Sequence, residues 1–149
     1  EETGPYTGKS YFPNQHPRAT YAAMISYLDE QVGELVQKLK DLGLYDNTLI
    51  IFSSDNGPTY TGGVDAEFFD SAKPFPSNYG RTKGFVYEGG IRVPMIAHWP
   101  AKIKAGTSSD HISSFYDLFP TLEEIVSSPT QHPTDGISFL PAVLVDTDQ

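Results

Sequence analysis

Cysteine is missing from all 149 residues, which excludes disulfides, thiolate metal sites and a cysteine nucleophile. No apolar run approaches the roughly 20 residues of a membrane-spanning helix, so a membrane partner is not expected. Basic residues are scarce, 10 against 19 acidic ones. The net charge of −9 argues against nucleic acid or a polyanion covering the whole surface. The chain opens Glu1-Glu2 without Met or a charged-then-apolar leader, so targeting information is expected to be absent or removed. No Gly-x-Ser-x-Gly, His-Glu-x-x-His or dinucleotide fingerprint occurs. Gly8-Lys9-Ser10 imitates the end of a phosphate-binding loop, but Thr3 holds the earlier glycine position and no strand precedes it. Internal repeats and low-complexity tracts are absent as well.

What is present suffices for one domain with a core. Residues 1–17 carry Gly4, Pro5, Gly8, Pro13 and Pro17 and read as an irregular arm. From Arg18 to Leu42, apolar residues recur at Tyr21, Ile25, Leu28, Val32, Leu35, Leu39 and Leu42, a helical stripe expected to pack on a sheet. Gly43 stops the helix, and Asp46-Asn47 turns the chain into a strand over 48–53, whose apolar run Leu49-Ile50-Ile51-Phe52 reads as buried. Helix, short turn and buried strand make half of a βαβ unit. A second strand is predicted within Ile91–Trp99, a short one over Ile112–Phe115, and a second helix over about 117–127. Pro120 is tolerable there only in the first turn. Asp135-Gly136 reads as a turn. The predicted class is therefore α/β, a partial and mostly parallel sheet flanked by helices.

Three strings carry the chemistry: Ser53-Ser54-Asp55-Asn56-Gly57-Pro58, Gly80-Arg81-Thr82-Lys83-Gly84 and Glu88-Gly89-Gly90-Ile91-Arg92-Val93-Pro94. The first delivers a carboxylate and a carboxamide at a strand's carboxyl end, where open α/β sheets place ligands. Hard divalent cations take such oxygen donors. Lys83, flanked by glycines, suits an anion held by that metal. Residues 81–104 hold five basic residues against Glu88 alone, a basic island in an acidic chain. Lys102 and Lys104 read as solvated loop charges. Alone, Asp55-Asn56-Gly57-Pro58 would be an ordinary turn and Lys83 a surface lysine. The order of the three strings favours the ligand site.

In that order and spacing the strings resemble the later part of the catalytic domain of formylglycine-dependent sulfatases, the arylsulfatase family of the alkaline phosphatase superfamily. The resemblance runs from about Tyr21 to Leu140. It implies that Asp55 and Asn56 coordinate Ca²⁺ (or Mg²⁺) and that Lys83 grips a sulfate oxygen. Arg81 is a further substrate contact, explained equally well by solvation. The family nucleophile comes from Cys or Ser in Cys/Ser-x-Pro-x-Arg. Ser71-Ala72-Lys73-Pro74 and Ser128-Pro129-Thr130 both fail that spacing, so formylglycine is expected upstream, outside these residues. So are the other metal carboxylates and the acid-donating His and Lys.

The parent would then be a sulfuric ester hydrolase acting on a carbohydrate or aryl sulfate, in a periplasmic or extracellular setting. The isolated chain, 1–149 as one partial domain, should be inactive, bind Ca²⁺ poorly and self-associate. A phosphate or phosphonate ester hydrolase of the same superfamily, or a non-catalytic binding module, remain alternatives. Glu88, Arg92 and Asp117 read as structural, Asp117 as a helix N-cap. His98 reads as a satisfied core or rim residue, and His16, His111 and His132 have no metal-ligand spacing. The aromatics of the 57–80 loop (Tyr60, Phe68, Phe69, Phe75, Tyr79) either stack on sugar rings or pin the loop, with pinning favoured for most.

Overall fold

The computed structural model describes residues 4–8, 11–128 and 133–144. Lys9, Ser10, Pro129, Thr130 and His132 lie outside them. The chain divides into two compact units, residues 1–43 with 51–96 and residues 44–50 with 97–149.

In the first unit the arm doubles back through a backbone bridge in which Tyr6 and Asn14 exchange N–H···O bonds of 2.6 and 2.8 Å. Helix α1 follows over Pro17–Asp41. Proline suits the first helical position because its missing N–H would be unpaired there anyway. Lys38 and Lys40 sit in the last turn, where the helix dipole favours cations. The N–H of Gly43 closes the end on the Lys40 carbonyl at 3.0 Å. The predicted extent is thus met nearly residue for residue.

Its predicted packing is not. Pro17 is the only buried residue of α1, and Ile25, Leu28 and Leu35 are all exposed. The first turns make side-chain contacts to residues remote in sequence, and Val32, Val36 and Leu39 farther along are half-buried. Arg18 donates to Asp65 at 2.6 Å and its guanidinium lies 4.0 Å above the Phe68 ring, while Tyr21 meets Phe69 at 4.6 Å. Asp65 also caps α2 (Ala66–Phe69) by accepting from the Phe68 N–H. Lengths explain why much of the stripe stays exposed. A 25-residue helix is about 37 Å long, whereas a four-residue strand spans only about 13 Å.

The sheet itself corrects the predicted topology. Among the described residues it has two strands, β1 (Ile50–Ser53) and β2 (Met95–His98). Cross-strand partners run in opposite directions: Ser53 Oγ donates to the Pro94 carbonyl, and the Gly57 N–H to the Gly90 carbonyl. The pair is antiparallel rather than parallel. The run 49–52 is also not buried on both faces, since Phe52 is exposed. Continuous apolar character does not separate a central parallel strand from a short antiparallel one. Beyond β1 the first unit holds the short helix α3 (Glu88–Ile91), and its buried residues include Ala72, Ser77 and Thr82 beside Pro17, Gly57, Gly89 and Gly90.

In the second unit, α4 spans Leu118–Ile125 and α5 spans Leu140–Leu144. Pro120 falls in the first turn of α4, as expected. No strand forms over 112–115; a 3₁₀ turn, Phe115–Asp117, takes its place. Asp117 occupies the N-cap position of α4, but its carboxylate does not cap that helix. It accepts instead from the backbone N–H of Ser114 (2.7 Å) and of Ile137 (2.8 Å). Thr121, wholly buried, donates to the Asp117 carbonyl and accepts from the Phe139 N–H. Phe139 is the buried apolar residue of this unit.

These bonds set an acid limit on stability. The Ser114 N–H, then that of Ile137, hold the Asp117 carboxyl below the usual carboxylate range, with His111 adding a smaller attraction. Arg18 does the same for Asp65, and Lys73 with Ser77 for Asp70. A carboxylate depressed in the fold contributes stability that is present above its unfolded pKa, near 4, and lost as pH falls through the folded value. Asp117→Asn is therefore expected to melt lower than the native chain at pH 7, with the gap closing below about pH 4. Thermal melts by circular dichroism across that range check it. A gap that stays constant in acid would overturn the assignment.

Candidate functional site

The three glycine-bearing strings meet backbone to backbone. Ser53 Oγ ties the end of β1 to the Pro94 carbonyl at 2.9 Å, and the chain then turns through Asp55-Asn56-Gly57. The buried Gly57 donates its N–H to the Gly90 carbonyl at 2.8 Å. A Cβ on Gly57 would lie 1.8 Å from the Gly89 carbonyl oxygen, and one on Gly90 would lie 2.2 Å from the carbonyl oxygen of Phe85. Only hydrogen fits at either place. The Lys83 N–H donates to the Pro58 carbonyl at 3.1 Å, so the lysine loop is hung directly on the string that carries Asp55. Gly57→Ala forces backbone apart and is expected to cost about 1–3 kcal/mol, read as a lowered denaturation midpoint.

Side chains project from this junction. Asp55 is exposed, with no hydrogen-bond or ion-pair partner among the described residues. The Asn56 Nδ2 donates to the Gly57 carbonyl at 3.0 Å, which directs the amide nitrogen into the loop and leaves Oδ1 as an acceptor. Asp55 and Asn56 thus present adjacent hard oxygen donors, the type that Ca²⁺ or Mg²⁺ takes. They are part of a shell at most, because such ions take six or more oxygens. No cluster of three or more His, Cys, Asp or Glu suited to a metal occurs among the described residues.

Arg81 and Lys83 are exposed, whereas Thr82 between them is 1% exposed. The loop therefore sends one side chain inward and a cation outward on either side of it. The Arg81 N–H bonds to the Asn78 carbonyl at 3.1 Å, and its guanidinium lies 4.1 Å above the Tyr87 ring. Glu88 and Arg92 form an ion pair at 3.1 Å across the single turn of α3. Both ends are more than half exposed, so the pair adds little stability.

The structure thus joins the backbones of all three strings, with the four candidate residues on two adjoining loops. Sequence reasoning passed over Thr82, whose buried Oγ1 has no partner among the described residues, and Tyr87, which carries Arg81. Only the glycine spacing around them hinted at a tight junction. The loop aromatics form pinning contacts: Tyr60 meets Tyr79 at 4.8 Å, Tyr79 meets Phe85 at 5.7 Å, and Phe75 lies under Arg92. His98 is half-buried and meets the Tyr45 ring at 5.2 Å, but its buried Nε2 lacks, among the described residues, the partner expected of a satisfied histidine.

Comparison with known proteins bears on these strings directly. Residues 2–127 match the family model described as Sulfatase. Human arylsulfatase A is 36% identical over 141 residues, covering 93% of this chain and 26% of that protein. Dog N-acetylgalactosamine-6-sulfatase is 34% identical over 129 residues, covering 85% of this chain and 24% of that one. A solved structure in complex with its substrate D-glucosamine-2-N,6-O-disulfate superposes with a TM-score of 0.65 at 29% identity, over 83% of this chain and 22% of that chain. A second, described with glycosaminoglycan metabolism by Bacteroides thetaiotaomicron, gives 0.64 at 33% identity, over 78% and 25%. The chain spans about a quarter of the length of these relatives.

Proposed function

The chain belongs to the sulfatase family, and from that premise we propose that it is the later part of the catalytic domain of a formylglycine-dependent sulfuric ester hydrolase. The observation that carries this reading is the Lys83 N–H bonded to the Pro58 carbonyl, three residues past Asp55. Asp55 Oδ and Asn56 Oδ1 are the donors this chain would offer to Ca²⁺ or Mg²⁺. When bound, such an ion supplies Lewis-acid withdrawal of charge from sulfate oxygens.

Lys83 has the complementary task. Its ammonium holds one oxygen of the transferring group and neutralises charge there, on a backbone that is already fixed and so needs no reorganisation during the reaction. The glycine junction keeps the two loops at one separation, and Arg81 adds a second cation at the rim. The attacking group, a formylglycine made from Cys or Ser, is supplied from outside these residues. The substrate we propose is a sulfated carbohydrate or an aryl sulfate, and the setting of the parent is periplasmic or extracellular. No helix among the described residues is long and apolar enough to cross a membrane.

Turnover of 4-nitrophenyl sulfate and 4-nitrophenyl phosphate by the full-length protein tests the reading. Sulfate-selective hydrolysis is expected, lost when the formylglycine precursor residue is replaced; hydrolysis of phosphate alone would reject it. The 149-residue chain by itself is expected to hydrolyse neither. It should also self-associate, because Met24, Tyr27, Leu35 and Ile96 are each 60% or more exposed. Sedimentation should then show oligomers at micromolar concentration, and calorimetry weak Ca²⁺ binding; a monomer binding Ca²⁺ tightly would reject the partial-domain reading.

A further inference from the structure

Among the described residues, Arg81 has no carboxylate partner. The acidic side chains of the same unit that form ion pairs are taken elsewhere: Asp65 by Arg18, Asp70 by Lys73, and Glu88 by Arg92. No carboxylate pairs with Arg81 among the described residues, although the chain as a whole carries a net charge of −9. The Arg81 guanidinium is exposed and therefore accessible to an anionic ligand.

Its geometry indicates what kind. The guanidinium carbon lies 4.1 Å from the centroid of the Tyr87 ring, where the ring's negative face attracts it. A cation–π contact uses none of the guanidinium N–H donors as hydrogen bonds to carboxylate, so they are open to an anion. The supporting backbone is fixed at both ends. The Arg81 N–H bonds to the Asn78 carbonyl, and a Cβ on Gly89 would lie 2.7 Å from the Arg81 carbonyl oxygen. Lys83 is held separately, through Pro58. With Thr82 buried between them, the two exposed cations are anchored to different partners and are not two arms of one flexible clamp.

We infer that Arg81, stacked on Tyr87, is a second anion subsite, which takes a sulfate or carboxylate group of the substrate other than the one held by Lys83. The inference rests on Lys83 being the clamp for the scissile sulfate. It makes Arg81 a specificity residue that selects substrates carrying two anionic groups over those carrying one. The two cations can serve one ligand at once only if its anionic groups are spaced as the loops are, which sets the selectivity. Since the contact is at an exposed site, added salt should weaken the preference.

The test is calorimetry on the full-length protein with inorganic sulfate, a monosulfated hexosamine and a disulfated hexosamine. The native protein should bind the disulfated sugar about tenfold tighter than the monosulfated one, as one charge-assisted hydrogen-bonded contact would give. Arg81→Gln should erase that preference and leave inorganic sulfate within about twofold of native. Arg81→Lys, which keeps the charge but not the flat stacking face, and Tyr87→Leu should each lose part of the preference. Equal loss for inorganic sulfate and the disulfated sugar in Arg81→Gln would make Arg81 part of a single sulfate site and overturn the inference. So would a native protein without the preference. Because binding is read without turnover, a protein that shows the preference but hydrolyses only phosphate esters would retain the subsite and lose the sulfatase reading.

Discussion

Replacing Asp55 by Ala in the full-length protein is expected to take sulfate ester turnover below detection and to weaken Ca²⁺ binding in calorimetry. The carboxylate supplies the one full negative charge that these loops would offer to the ion, and the neutral Asn56 oxygen cannot substitute for it. The change should leave folding almost untouched. Asp55 is exposed and has no hydrogen-bond or ion-pair partner among the described residues, and the loop around it is held by the Gly57–Gly90 bond and by Ser54 Oγ donating to the Asn56 carbonyl. A melting temperature equal to that of the native protein, with turnover gone, is the expected pair of results. Turnover that survives Asp55→Ala would remove the metal corner from the assignment.

Lys83→Ala separates the anion clamp from the metal corner. Turnover should fall by about 10²–10³, the usual consequence of deleting one preorganised donor to the transferring group. Ca²⁺ binding should stay close to native, because the ammonium is not a ligand of the ion. The fold is again expected to survive, since the bond that positions this loop is made by the Lys83 backbone N–H, which alanine retains. A loss of Ca²⁺ affinity as large as that of Asp55→Ala would show that the two loops act as one structural unit and would reject the separate roles. Unchanged turnover would return Lys83 to the ordinary surface lysines.

Several features are legible in the residues alone. The stripe from Tyr21 to Leu42 and Gly43 at its end locate α1 to within a residue, because periodicity and a terminating glycine act over a few residues. Pro17, read as part of the arm, proves to be the first helical residue. The strand leading to Asp55 and the first-turn place of Pro120 follow from the same kind of local rule. The order of the three strings singles out Asp55, Asn56, Arg81 and Lys83 and places all four on loops.

Direction and contact are not legible in this way. An apolar run such as 49–52 has no property that tells it to pair with Met95–His98 in antiparallel sense, and a helical stripe does not report whether anything covers it. Asp117 has the residue type and the position of an N-cap, yet its carboxylate turns to Ser114 and Ile137, the second of which is distant in sequence. The glycines at 57, 89 and 90 read as turn formers, although Gly57 is required by the close approach of the Gly89 backbone, remote along the chain, and Gly90 by the carbonyls of Phe85 and Thr82. Sequence by itself determined α1, β1, β2 and α4 and their order, and singled out the candidate site residues, since these follow from neighbours a few positions apart. Only the tertiary structure decided which backbones touch, which faces stay bare and that Arg81 rests on Tyr87, because each depends on segments brought together by folding.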